Sequence, residues 1–190
     1  MPKQRITKEM VIDAAFALTR EKGLARAGVT EIAARAGCSV QPIYSYLGGM
    51  EGLRRAVCQR TREFVQSYVA ARLDPEDFFR SIGMAYAALA REEPHLFQTF
   101  MMHPREDIAS LEDLYAREAS PEAAAAIARQ YQTDEASARR LHMHMLIYTT
   151  GIGAILATAS PGIPQAQIQA QLEQAFEAFF TAIIKRKEEA

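Results

Sequence analysis

The stretch Val29–Leu47 constrains the fold more than any other part of this 190-residue chain. In its first half, Ile32 and Ala36 lie one helical turn apart, as on the apolar face of a short helix. Gly37 follows at once, where a helix that ends in the left-handed region favours glycine. Ser39 is placed to cap a second helix, because its hydroxyl oxygen can accept a backbone N–H of the first turn. The stretch therefore predicts two short helices joined by a tight corner.

Two short helices joined in this way are typical of a helix-turn-helix. The small Ala33 lets the second helix cross close over the first, and Ile43 faces back toward it. Gln41 and Tyr44 then point away, so the second helix can enter a DNA major groove, which is about 12 Å wide. An ordinary αα-hairpin inside a helical bundle is the alternative, since small residues also occur at plain helix corners.

The distribution of charge supports the DNA-binding interpretation. The net charge of the whole chain is only −1, but residues 1–60 contain ten Lys and Arg against five Asp and Glu. A basic N-terminal third suits a polyanion, because the neutralisation of phosphates supplies most of the non-specific affinity for DNA. The excess of basic residues alone would also fit a solvated protein surface. It supports DNA binding because it lies in the same part of the chain as the helix-turn-helix.

Composition indicates a globular cytoplasmic protein. Apolar residues make up 49% of the chain and charged residues 24%. We expect no membrane segment, because no apolar run approaches the ~20 residues of a transmembrane helix, and the N-terminus has no apolar signal core. The two cysteines, Cys38 and Cys58, are too few for a disulfide framework and fit a reducing compartment.

The rest of the chain continues the helical pattern, so the predicted fold class is all-α. Residues 1–6 form a short basic arm, and Thr7 is expected to cap a first helix that ends near Gly23. Gly48-Gly49 ends the helix-turn-helix. We therefore expect a three-helix DNA-binding domain over residues 1–49, followed by a helical ligand-binding and dimerisation domain over residues 50–190.

The second domain is predicted to begin with a long helix from Met50 to about Arg72, which links the two domains. Further helices are expected from Asp74-Pro75-Glu76 to Arg91, from Pro94 to a break at Pro104, and from Ile108 to Glu118. An alanine-rich helix is expected after the cap Ser120-Pro121-Glu122, a long one from Thr133-Asp134-Glu135 to Ala159, and a last one from Gln165 to Lys187.

The N-terminal part of the chain resembles the tetracycline-repressor (TetR) family of transcription regulators. The resemblance is carried by ITKEMVIDAAFALTREKG, VTEIAARAGCS and IYSYLGGMEGL. It implies a homodimeric DNA-binding regulator with a palindromic operator. More loosely, the stretch from Tyr86 to Met102 resembles the ligand-binding domain of one TetR subgroup.

Several positions depart from the family pattern. Gly28 and Thr30 stand where a Thr or Ser cap and an Arg are common, Leu47 replaces Phe, Gly49 replaces Ser or Asn, and Met50 replaces Lys. Together these departures imply fewer phosphate contacts than is usual in the family. Affinity would then depend more on other side chains and on backbone amides at helix starts.

The candidate DNA-binding residues lie in the second short helix and in the N-terminal arm. Gln41 is the leading base reader, because glutamine can bond adenine N6 and N7 together. Val40 and Pro42 could contact thymine methyl groups, and Tyr44 matches a family tyrosine that contacts phosphate or methyl groups. The predicted set is Lys3, Arg5, Ser39, Val40, Gln41, Pro42, Tyr44, Ser45 and Tyr46.

A second set of residues suits a small-molecule pocket in the C-terminal domain. Methionines form adaptable pocket walls, and an apolar pocket with few polar groups suits small ligands. The candidates are Met84, Phe97, Phe100, Met101, Tyr115, His142, Met145, Tyr148 and Thr149. Each of them could equally be ordinary core, and the effector is unknown from the sequence.

The last two helices carry wide apolar faces, and the resemblance implies that they form a homodimer interface. A dimer also suits DNA, since two half-sites about 34 Å apart need two reader helices. The expected interface residues are Ile152, Ile155, Leu156, Leu172, Phe176, Phe179 and Ile183. The alternative is that these faces fill the core of a monomer.

No catalytic constellation or cofactor motif appears, so we expect neither an enzyme nor a cofactor. His142 and His144 are two residues apart on a helix and point to different sides, which argues against a metal site. We expect a repressor released from its operator when an effector shifts a helix and the long helix from Met50 transmits the shift. The alternatives are a ligand-independent or activating regulator, and a helical ligand-binding or adaptor protein with weakened or lost DNA binding.

Overall fold

The computed structural model describes residues 6–105, 108–120, 122–158 and 162–185. The regular structure of these residues is helical, which confirms the predicted all-α class. The α-helices are α1 (Lys8–Lys22), α2 (Val29–Arg35), α3 (Gln41–Leu47), α4 (Met50–Ala70), α5 (Phe78–Glu92), α6 (Pro94–Met101), α7 (Leu111–Glu118), α8 (Ala123–Gln130), α9 (Glu135–Thr158) and α10 (Gln165–Phe180). A 3-10 turn, Leu24–Arg26, follows α1, and a π-helical turn, Thr181–Lys185, follows α10.

The chain divides into two compact units. The N-terminal unit comprises Met1–Arg72 and Ala88–His103, and the C-terminal unit comprises Leu73–Ala87 and Pro104–Ala190. The N-terminal unit therefore includes α6 as well as the predicted DNA-binding helices. The predicted domain boundary at residue 50 separates two functions, whereas these units are defined by compactness. The predicted boundary therefore stays a prediction.

The core of the N-terminal unit is built from the apolar faces of α1 to α4. Val11, Ile32, Ile43 and Val57 are almost completely buried in it, one from each of the four helices. Burial of such a side chain stabilises the fold by about 1.5–3 kcal/mol. These contacts fix α3 against its neighbours and leave its opposite face to solvent.

Helix boundaries in the N-terminal unit follow the expected capping chemistry at several points. The Thr7 hydroxyl oxygen accepts a hydrogen bond from the Met10 amide at 3.2 Å, as a helix N-cap does. Gly23 ends α1 with a φ of 88°, and its amide bonds the carbonyl of Thr19 at 2.8 Å. Pro94 opens α6, where a missing N–H costs no helical hydrogen bond.

Two expected caps were wrong. The residue that directly precedes α3 is Val40, and Ser39 makes no capping hydrogen bond to the first turn of that helix. The Asp74 side chain instead accepts the Glu76 amide at 2.9 Å in a local turn, and α5 begins only at Phe78. Such short-range bonds of aspartate compete with helix formation.

The C-terminal unit is organised around α9. Leu141 and Met145 of this helix pack with Phe79, Ile127 and Phe176, which come from α5, α8 and α10. A second cluster joins α5 to α10 through three buried residues, Ala87, Ile168 and Leu172, with Met84, Tyr148, Ile152 and Leu156 packed against them.

Among the described helices, α9 is long and apolar enough to cross a membrane by length and composition alone. One such helix is weak evidence for a membrane span, since the core helix of a globular domain can pass the same test. Here α9 packs against α8 and α10 within the C-terminal unit.

Candidate nucleic-acid interface

The corner between α2 and α3 has the geometry expected from its glycine. Gly37 has a φ of 70°, in the left-handed region, and its amide bonds the carbonyl of Ala34 at 3.1 Å. The Cys38 amide bonds the carbonyl of Ala33 at 2.9 Å. These bonds satisfy carbonyls at the end of α2, as in other glycine-ended helices. The predicted role of Gly37 is therefore confirmed.

The corner between α3 and α4 depends on a glycine that the sequence interpretation missed. The last carbonyl of α3, that of Leu47, lies so close to Gly52 that a Cβ there would overlap with its oxygen. A side chain at this position would force the two helix backbones apart. The Gly52 in the MEGL motif is the signal that could have identified this close approach, since glycine inside a helix costs stability and calls for a packing reason.

The two faces of α3 differ sharply in exposure. Ile43 is completely buried in the core of the N-terminal unit. On the opposite side, 54% of Tyr44 and 39% of Val40 are exposed, and Gln41 and Ser45 are also exposed. The side chains predicted to point away from the protein therefore do so. Among the remaining candidates, Ser39 is exposed and Pro42 is half-buried.

Tyr46 links α3 to the chain segment that precedes α1. Its ring is partly exposed, and its hydroxyl donates a hydrogen bond to the Ile6 carbonyl oxygen at 3.0 Å. The predicted arm residues Lys3 and Arg5 lie outside the described residues, but Ile6 is the last residue of that arm. The bond therefore holds Ile6 beside α3.

The exposed side chains of α3 carry no charge, while α2 holds its charges in ion pairs with α1. Arg35 donates to Glu21 at 2.8 Å, and Lys22 pairs with Glu31. The hydrogen bond from Arg35 lowers the pKa of the Glu21 carboxyl. The Ser45 hydroxyl donates to the Pro42 carbonyl oxygen at 3.3 Å. Gln41, Tyr44 and Ser39 remain available for hydrogen bonds to bases and phosphates, which is the chemistry of sequence-specific readout.

The candidate effector residues fall into two groups. Three of them, Phe97, Phe100 and Met101, lie on α6 in the N-terminal unit, and the other six lie in the C-terminal unit. Phe97 and Met101 are buried, and the Arg62 guanidinium lies 5.9 Å from the centre of the Phe100 ring.

In the C-terminal unit, the partly buried His142 contacts two aromatic rings. The Tyr115 hydroxyl lies 2.9 Å from its Nδ1 atom, and the edge of Phe79 meets its ring. Burial lowers the pKa of His142 to about 4, so the ring is neutral near pH 7. Met84 is half-buried, Met145 and Thr149 are buried, and Tyr148 donates to Gln171 at 3.3 Å.

The candidate interface residues differ in how much surface they offer. Leu172 and Phe176 are buried in the C-terminal unit itself, while Ile152, Leu156, Phe179 and Ile183 are partly buried. Ile155 is 52% exposed. Ile147, which was not predicted, is 46% exposed. The spacing of Ile147, Gly151 and Ile155 along α9 at four-residue intervals is the signal that could have identified it.

The two histidines of α9 have different surroundings. His142 meets Tyr115 as described, whereas His144 stacks on Phe179 with ring centres 4.9 Å apart. Within the described ranges, no group of three His, Cys, Asp or Glu side chains is placed to hold a metal ion.

Comparison with known proteins identifies the helix-turn-helix region. Residues 11–57 match the sequence model of bacterial regulatory proteins of the tetR family. The fold is similar to the crystal structure of a TetR-like transcriptional regulator from Rhodococcus sp. RHA1, with a TM-score of 0.56 and 15% sequence identity. That match covers 93% of this chain and 96% of the other. No curated protein sequence gives a significant match. Residues 11–57 are therefore a DNA-binding domain of the tetR family, and the chain as a whole has a TetR-like fold.

Proposed function

We propose that this regulator is a homodimeric repressor that binds a palindromic operator and is released from it by a small-molecule effector. The observation that carries the proposal is the two-sided character of α3. Its buried Ile43 fixes the helix, and Gln41 and Tyr44 project from the opposite side into solvent. A rigid helix with free polar side chains is suited to the major groove.

Gln41 lies in the first turn of α3 and is the proposed base reader, with adenine as its preferred partner. Val40 and Pro42 lie beside it and would contact thymine methyl groups. Tyr44 and Ser45 would bond phosphates from the exposed side of the helix. Ser39, which does not cap α3, is available for the same purpose.

The N-terminal arm would supply further contacts. Lys3 and Arg5 come shortly before Ile6, which is bound to Tyr46 of α3. The arm therefore starts beside the proposed reading surface. Basic arms that begin next to a reader helix can reach the adjacent groove or backbone of the duplex.

Two copies of the chain would associate through the exposed face of α9. Ile147 and Ile155 are large apolar side chains on this face, and the exposed Gly151 between them permits close helix approach. Ile152, Leu156, Phe179 and Ile183 would add their partly exposed surfaces. The buried Leu172 and Phe176 would support the interface from within each subunit.

The proposed effector site lies in the C-terminal unit, around Tyr115 and His142. A neutral imidazole and a phenol hydroxyl offer hydrogen-bond donors and acceptors, with Met84, Met145 and the Tyr148–Thr149 pair as nearby candidates. An apolar site with a few such groups suits a small organic molecule. Binding would stabilise a second arrangement of these helices and change the spacing of the two α3 helices. Such a protein would act in the cytoplasm.

Selection of bound duplexes from random-sequence DNA by the purified protein tests the proposal. We expect a palindromic consensus, two protomers on each duplex, and half-sites whose centres are about one helical turn apart or a multiple of it. Bound duplexes without a shared sequence would contradict operator recognition. A single protomer on each duplex would contradict the homodimer. Adding small molecules to the protein–DNA complex then tests whether an effector releases the protein from its operator.

A further inference from the structure

The cations of the N-terminal unit differ in whether an acid on the same unit already neutralises them. Six of them form ion pairs: Arg20 with Glu93, Lys22 with Glu31, Arg35 with Glu21, Arg55 with Glu51, Arg60 with Asp13, and Arg72 with Glu92. An ion-paired side chain must lose its acid before it neutralises a phosphate. These six are therefore poor candidates for contacts with the DNA backbone.

Lys8, Arg26, Arg54 and Arg62 form no ion pair with an acid among the described residues of this unit, and all four residues are exposed. The Arg62 guanidinium, eight residues beyond Arg54 on α4, instead lies 5.9 Å from the centre of the Phe100 ring of α6. Because α3 itself exposes no cation, side chains beside it must provide the positive charge that a duplex requires. The position of each free cation relative to α3 therefore decides its role.

Lys8 lies on one side of α3. It is the first residue of α1, two residues after Ile6, whose carbonyl oxygen binds the Tyr46 hydroxyl. A cation at the N-terminus of a helix is opposed by the helix dipole, by about 0.3–1 kcal/mol. The stability of α1 therefore does not explain Lys8, whereas a phosphate bound at this point would.

On the opposite side of α3 from Tyr46, the ring of Tyr44 lies close to Gly49, the residue just before α4. Arg54 is four residues after Met50, the first residue of α4. Helical side chains lean toward the N-terminus of their helix, so a long side chain at this position covers the preceding turn. The Arg54 guanidinium can therefore reach the start of α4, beside the exposed Tyr44.

Arg26 and Arg55 provide comparisons within the same unit. Arg26 is unpaired, but it lies in the 3-10 turn between α1 and α2, which packs against α1. Arg55 is the neighbour of Arg54 on α4, but it forms an ion pair with Glu51. Arg26 therefore has a free charge but does not lie beside α3. Arg55 lies on α4, but its charge is already paired.

We propose that Lys8 and Arg54 bind DNA phosphates on the two sides of α3 and hold this helix in the groove. The inference rests on the proposed DNA binding by α3, and it assigns the backbone contacts to two side chains outside the reader helix. It also explains how the chain can bind DNA without a lysine at the start of α4, where Met50 stands.

The test uses the full chain and a fluorescein-labelled duplex of mixed sequence, and it measures affinity by anisotropy at increasing NaCl concentrations. The variants are Lys8→Gln, Arg54→Gln and the double variant, with Arg26→Gln and Arg55→Gln as matched controls. Each lost phosphate contact lowers the slope of log affinity against log salt by about 0.9, and hence by about 1.8 for two bound protomers. The double variant should lose about twice as much slope.

A double variant with the wild-type slope, or controls that lose as much slope as Lys8→Gln and Arg54→Gln, would overturn the inference while leaving DNA binding by α3 intact. A wild-type protein whose affinity does not fall with salt would instead contradict the proposed function. A second readout separates backbone contacts from base contacts. Lys8→Gln and Arg54→Gln should weaken binding to selected and mixed-sequence duplexes equally, whereas Gln41→Ala should weaken binding to the selected duplex alone.

Discussion

The hydroxyl of Tyr46 donates a hydrogen bond to the carbonyl oxygen of Ile6 at 3.0 Å. This bond joins α3 to the residue that precedes the cap of α1, forty positions earlier in the chain. A change in the angle of α3 would therefore move Ile6, the last residue of the predicted N-terminal arm. The side chain predicted as a DNA contact serves as an internal link as well.

Replacement of this tyrosine tests the link. Tyr46→Phe should lower the free energy of unfolding by about 1 kcal/mol or less, because the lost hydrogen bond is partly exposed. It should also weaken operator binding about two- to fivefold, since the arm is no longer fixed beside α3. Tyr68→Phe is the matched control, because the Tyr68 hydroxyl donates to Glu92 at 2.6 Å and does not link to α3. Equal affinities for DNA in the two variants would contradict the positioning role.

The corner between α3 and α4 gives a second prediction. Gly52→Ala should destabilise the protein by about 2–4 kcal/mol, because the added methyl group meets the backbone carbonyl of Leu47. Gly37→Ala should cost only about 1–2 kcal/mol, because its Cβ would find open space and the cost is confined to backbone strain. Urea denaturation followed by circular dichroism measures both. A Gly52→Ala protein as stable as the wild type would show that the two helices do not need this close approach.

The features that sequence reasoning predicted well depend on short-range chemistry. Gly37, Pro94 and the Thr7 cap act within a few residues of themselves, so their neighbours in sequence determine their conformation. The role of Gly52 was missed because it depends on the Leu47 carbonyl, which lies against Gly52 only once α3 and α4 are folded together. Ser39 was predicted to cap α3, but the residue directly before this helix is Val40. Helix ends commonly shift by one or two residues between sequence-based and structural assignments.

The exposed face of α9 gives a prediction about assembly. Ile155→Asp should weaken self-association at least about 100-fold, because a symmetric interface contains the substitution twice and each copy loses the burial of an isoleucine. Leu111→Asp is the matched control, since Leu111 is also a largely exposed apolar residue but lies on α7. Sedimentation equilibrium measures both. A dimer unaffected by Ile155→Asp would exclude this face of α9 from the interface.

The partly buried His142 gives a prediction about pH. Its pKa is about 4 in the folded protein and about 6.5 when unfolded, so the folded state resists protonation. The stability that the neutral ring contributes is complete above pH 6.5 and is lost as the pH falls toward 4. At pH 5 the loss should approach about 2 kcal/mol.

Urea denaturation between pH 7.5 and 5 measures this loss as a difference between wild type and His142→Gln, which removes the titration but keeps an acceptor for the Tyr115 hydroxyl. His144→Gln serves as the control, because that side chain is exposed and stacks on Phe179. If wild type and His142→Gln lost stability in parallel across this range, the burial of His142 would not be the cause.

The functional residues of the C-terminal unit were harder to predict than those of α3. A methionine or aromatic side chain at helical spacing looks the same in sequence whether it fills a core or lines a site. Phe97 and Leu172 illustrate this point, since both were candidates for function and both are buried in the core of their own units. The reader helix was easier, because exposed Gln41 and Tyr44 flank a buried Ile43 within a single helical turn.

The most direct test of the account compares operator binding by wild type, Gln41→Ala and Tyr44→Ala on a duplex selected by the wild-type protein. Both side chains project from the exposed face of α3, so neither substitution should change helicity by circular dichroism. Each variant should bind the selected duplex at least about tenfold more weakly, which corresponds to about 1.4 kcal/mol. Wild-type affinity in both variants would show that α3 does not read DNA.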